Sequence, residues 1–110
     1  HDVAARLAVV PMVLEARGLD VTPAILKRVR ASGDVNGARI LSRILDDEIV
    51  HVAIGTKHFL RCAEMARSQP ESLWRDLVKL HFRGEVKPPF NDSARLAAGL
   101  SRDFYAEIAR

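Results

Sequence analysis

From Val35 to Arg67 the chain reads VNGARILSRILDDEIVHVAIGTKHFLRCAEMAR, without a single proline. Along it Leu41, Ile44, Glu48, His51, Gly55, Phe59 and Cys62 recur at steps of three and four residues. That spacing is the period of an α-helix that buries one stripe of its surface. Glu48 and His51 stand on the stripe where apolar side chains are expected. A carboxylate in a core is costly unless it is paired, protonated or bound to a cation. Glu-x-x-His sets both groups on the same side of one turn, an arrangement that a metal ion satisfies. The plainer alternative is a surface pair, or a core histidine hydrogen-bonded to its neighbouring glutamate. Asp46 and Asp47, just before, make the stretch acidic.

On the N-terminal side, Val3, Ala4, Leu7, Ala8, Val10, Pro11 and Leu14 follow the same helical period. Pro11 lacks an N–H and crowds the preceding turn, so it should kink this helix or loosen its hydrogen bonding. Gly18 is a natural terminator. Thr22 and Pro23 then read as the cap and first turn of a short helix through Ile25, Leu26 and Val29, ending at Ser32-Gly33. Asp34 can cap the long helix. On the C-terminal side, Pro70-Glu71-Ser72 opens a helix carrying Leu73, Trp74, Leu77, Val78 and Leu80. Residues 83–91 are turn chemistry. A last helix is expected from Asp92 or Ser93, through Leu96, Leu100 and Phe104, towards Ile108. No strand pattern of useful length occurs, so the class is all-α.

The 110 residues suffice for one domain, 1–110, with a real core. Apolar residues make up 48% and charged residues 28%, which excludes a disordered tail. No apolar run approaches the ~20 residues that cross a bilayer, so no membrane partner is expected. One cysteine, Cys62, excludes an internal disulfide framework and fits a reducing, cytoplasmic compartment. It sits on the apolar stripe and reads as a small buried hydrophobe. The net charge of +3 is spread along the chain. Clusters such as Lys27-Arg28-Val29-Arg30 and Arg83 to Lys87 read first as solvated faces, and as nucleic-acid contacts only second. There is no phosphate-binding glycine loop and no Ser/His/Asp arrangement. Trp74 and Phe82 read as core anchors, and His58 as solvent-facing. Asn91 and Arg95 read as braces of the Pro88-Pro89 turn, and Asp20 as a brace of its own turn. The chain opens on His1-Asp2 within an apolar-periodic segment, which points to a piece of something longer.

Glu15 continues the series Ala4, Ala8, Pro11, Glu15 at the edge of a buried face. By itself it reads as a boundary glutamate beside Arg17. Beside an inward Glu-x-x-His on an antiparallel helix, it becomes a bridging carboxylate. Carboxylate-bridged di-iron or di-manganese bundles take one Glu from each of two helices and one Glu-x-x-His from each of the other two. Glu15, Glu48 and His51 are half of that set, and no other Glu in the chain has a His three residues on.

Three blocks carry a family resemblance: Val10 to Pro23, Asp47 to Val52 with Gly55 and Phe59, and Pro88 to Asn91 with Ala94-Arg95 and Ala98 to Leu100. Together they resemble the ferritin-like bacterial proteins catalogued as domain of unknown function 455, in their C-terminal part. The resemblance implies half of a ferritin-like four-helix bundle plus short accessory helices. It places Glu15 as the lone carboxylate of the third bundle helix, and Glu48 and His51 as the motif of the fourth. Iron, or manganese, would be the metal, and the reaction class would be oxidase or hydroxylase. A non-enzymatic metal-binding or interaction module is the alternative, and a tRNA-modifying hydroxylase a further one. The missing ligands would come from a second copy in a homodimer, or from N-terminal helices of a parent chain.

Overall fold

A computed structural model describes residues 2–109, without the side chain of Asp2. His1 lies outside the described residues. One long helical rod opens the chain. It comprises α1 (Asp2–Val9), a widened π turn (Val10–Glu15) and α2 (Ala16–Ala31). A sharp turn at Gly33, with φ of 83°, leads into α3 (Val35–Met65), which runs back antiparallel. Asp34 caps α3 by accepting the Gly37 N–H at 2.8 Å. The remaining helices are α4 (Pro70–His81), α5 (Asp92–Ala97) and α6 (Arg102–Tyr105). Among the described residues there is no strand, and the chain is all-α. Its extents are 50 × 26 × 20 Å, and a helix of α3's length accounts for about 46 Å of the longest.

The break expected between Gly18 and Thr22 does not occur: α2 passes through both Gly18 and Pro23. Pro23 has no N–H to give to the carbonyl four residues back, that of Leu19. The side-chain amide of Asn91 donates to that carbonyl instead, at 3.1 Å. A distant residue thus repairs what would otherwise end the helix. Pro11 loosens the rod as expected, in the form of the π turn, where the Ala16 N–H reaches back five residues to the Pro11 carbonyl.

The single C-terminal helix expected over 92–108 is two short ones. Gly99, at φ of 83°, stands between α5 and α6. The Leu100 N–H returns to the Arg95 carbonyl at 2.8 Å and closes α5, as a left-handed glycine after a helix permits. Gly99 also packs on α3, since a Cβ there would lie 3.2 Å from the Thr56 methyl.

One core joins these pieces. Met12, Ala16 and Leu19 from the rod meet Val52 and Phe59 from α3, and Trp74, Leu100, Phe104 and Tyr105 cover them. Trp74 and Phe104 meet edge to face at 5.8 Å. Phe82, expected as an anchor, is half-buried and packs against this cluster. Cys62 is also half-buried.

The accessory helices α4, α5 and α6 therefore cover one side of the α1/α2–α3 hairpin. The other side keeps Val10, Val21 and Ile25 of the rod exposed, with Ile40, Ile44 and Ile54 of α3. No helix among the described residues is long and apolar enough to cross a membrane.

Candidate functional site

Two close approaches set the register of the hairpin. Gly55 of α3 lies against Pro11, and a Cβ at Gly55 would fall within 2.5 Å of the Pro11 Cβ. Seven residues further along the rod, a Cβ at Gly18 would lie 3.8 Å from the Glu48 Cγ, seven residues back from Gly55. Between these two fixed points the helices run antiparallel. Glu15, four residues on from Pro11, is therefore level with His51, four residues back from Gly55.

Glu15 and Glu48 are both half-buried along this seam. Glu48 Oε1 is buried and has no hydrogen-bond partner. Such an atom loses its hydration without replacement, and native structures tolerate few of them. His51, expected to point inward, is exposed. The stripe that contains it lies at the margin of α3's buried surface: Gly55 and Phe59 are buried, Leu41 and Cys62 half-buried, and Ile44 48% exposed. His51 thus belongs to the bare side of the hairpin, in the company of Ile44 and Ile54. His58 is exposed as expected, and so are Asp46 and Asp47.

Among the described residues no three His, Cys, Asp or Glu side chains come together as a closed metal site. The hairpin brings the three donors to adjacent levels of one seam.

The π turn is part of the site's construction. π turns are rare and recur at functional positions; this one ends on Glu15. Two features hold it. The Pro11 ring fits the space that Gly55 leaves, and the indole N–H of Trp74 donates to the Ala8 carbonyl at 3.1 Å. Pro11 announces the disturbance in the sequence, whereas nothing local announces Trp74 as its brace.

Behind the rod lies an ionic cluster that sequence reasoning assigned elsewhere. Asp20, read as a brace of its own turn, accepts Arg95 Nε at 2.9 Å and Nη2 at 2.7 Å. It also accepts the Asn91 N–H at 2.9 Å. The Arg95 guanidinium lies 4.8 Å from the Phe90 ring centroid and 4.5 Å from that of Tyr105, and the two rings, 4.6 Å apart, meet the cation from the same side. The Tyr105 hydroxyl donates to Asp92. Burial and that bond push the phenol up to about 12, and the same bond holds the Asp92 carboxyl below its ordinary value. This cluster ties residues 90–105 to α2.

The comparisons agree with the three-block resemblance. The chain is 34% identical over 102 residues to an uncharacterised protein of Haemophilus influenzae, covering 93% of this chain and 35% of that protein. It therefore spans about a third of that relative's length. No solved structure matches it significantly. The family model described as "Protein of unknown function (DUF455)" matches residues 1–106, and the chain belongs to that family.

Proposed function

We propose that this chain is one half of a ferritin-like bundle holding a carboxylate-bridged metal pair, iron or manganese, in a protein of oxidase or hydroxylase type. The observation that carries the reading is the buried, unpartnered Glu48 Oε1 beside Gly18, with Glu15 and His51 level on the same seam. A cation compensates such an oxygen, and the donors offered are hard carboxylates with one imidazole, the set that suits iron and manganese. Glu15 and Glu48 would supply carboxylates from two helices, and His51 a ring nitrogen. A bound metal pair supplies redox chemistry with dioxygen. The chain's own part is to hold the donors on rigid helices and, once the bare side is covered, to exclude water with Val10, Ile44 and Ile54.

Completing the shell requires a second helix pair. A second copy brings another Glu15, Glu48 and His51, which restores the full count, and we place this assembly in the cytoplasm on the strength of the lone Cys62. The length of the Haemophilus relative leaves room for such a pair within one polypeptide as well.

The test is metal retention. The protein is loaded anaerobically with ferrous iron, or with manganese, then desalted and analysed for metal. Wild type is expected to retain metal. Glu48→Ala and Glu15→Ala should weaken retention by at least about tenfold, while Glu64→Ala, on the exposed C-terminal turn of α3, should leave it unchanged. Wild-type retention no better than that of Glu48→Ala overturns the proposal.

A further inference from the structure

A cavity of about 140 Å³ opens on the flank of the rod, away from the seam. Met12, Val13 and Leu14 of the π turn form one wall, Trp74 the floor, and Phe82 and Val86 the other wall. These residues are apolar, and Met12 and Trp74 are fully buried. A dry cavity of roughly 150 Å³ accepts one benzene-sized ring, so this one has room for a single six-membered ring.

Its mouth is charged. Arg17 stands there, its Nη1 donating to the Lys87 carbonyl at 2.7 Å, which fixes the guanidinium over the opening. Lys87 pairs with Glu85 at 3.7 Å, but both side chains are more than half exposed, and such a pair adds little. Arg95 lines the cavity too, but its charge is taken by Asp20. Asp20 also lies 3.7 Å from Arg17. Three cations thus face two carboxylates, and one positive charge is left over at the mouth. The Arg17 side chain is 44% exposed, so a ligand reaches it without opening the fold. An apolar chamber with a fixed guanidinium at its entrance selects a flat apolar body that ends in a planar anion.

We propose that this cavity binds a small aromatic monocarboxylate, the ring against Leu14 and Phe82, over the buried Trp74, and the carboxylate on Arg17. The proposal stands apart from the metal reading, because none of Glu15, Glu48 and His51 lines the cavity.

Trp74 is the one tryptophan in the chain, so its fluorescence reports on the chamber directly. Benzoate is the probe, and benzamide, the same shape without the charge, is the comparison. Benzoate is expected to change Trp74 emission saturably and to bind about tenfold tighter than benzamide, an advantage that added salt reduces. Arg17→Gln should bring benzoate to the level of benzamide and leave benzamide unchanged. Val13→Phe, which fills the chamber, should abolish both responses. Far-UV circular dichroism checks that each variant is folded; if Val13→Phe is not, Arg17→Gln decides. An absent saturable response to benzoate overturns the proposal. So does a benzoate affinity equal to that of benzamide, or one that Arg17→Gln leaves intact.

Discussion

Asp20 and Arg95 are 1% and 4% exposed at their side chains, and neither has water to fall back on. Their bidentate geometry, with Phe90 and Tyr105 together beside the guanidinium, satisfies the pair inside the protein. Removing one partner leaves the other charged and buried, which typically costs about 3–5 kcal/mol. Asp20→Ala and Arg95→Met should each lower the unfolding free energy measured in urea by an amount in that range, and Arg95→Lys should rescue little, because an ammonium has no planar fork. A loss under about 1 kcal/mol in Arg95→Met would mean that the cluster is solvated in solution. The pair was not legible in the sequence because its members are 75 residues apart and each has a nearer plausible task. Glu48 was legible for the opposite reason. It interrupts a local apolar period, and interruption by a costly group is visible in one line of text.

At the scale of the element, the rod and α3 touch where a proline meets a glycine. A methyl on Gly55 would overlap the Pro11 ring, which is held in backbone and cannot swing aside. Gly55→Ala should therefore push the helices apart at that level, at a cost of about 1–3 kcal/mol despite alanine's better helix propensity. Thermal unfolding compares this variant with wild type, and a Gly55→Ala protein as stable as wild type would show that the helices separate freely. The long helix, its Asp34 cap and the start of α4 at Pro70 were readable because they depend on neighbours in the chain. The continuity of α2 through Pro23 was not, since it depends on Asn91 supplying a donor from 68 positions away in the sequence. The division of the last helix at Gly99 lay between these cases. The glycine was visible, but the Thr56 methyl that it accommodates belongs to α3.

At the scale of the whole molecule, the hairpin is dressed on one side only. Val10 is 47% exposed, Ile40 60%, Ile44 48% and Ile54 51%, on the side away from the accessory helices. A helix that is apolar towards solvent as well as towards its core is the pattern of an element with a second partner. A two-fold axis across this surface would set each hairpin against its own copy and bring both half-sets of donors to one plane. Interfaces of standard size bury roughly 800 Å² on each partner, which a pair of helices as long as these can offer. Sedimentation equilibrium should accordingly show a dimer that dissociates on dilution. Ile44→Glu combined with Ile54→Lys should yield a monomer with unchanged far-UV circular dichroism, because neither side chain belongs to the core. The same double variant should lose metal retention while keeping its response to benzoate, since neither Ile44 nor Ile54 lines the cavity. A wild-type protein that stays monomeric at all accessible concentrations would place the cover of this surface in additional chain, of the kind that the longer Haemophilus relative possesses, and not in a second copy.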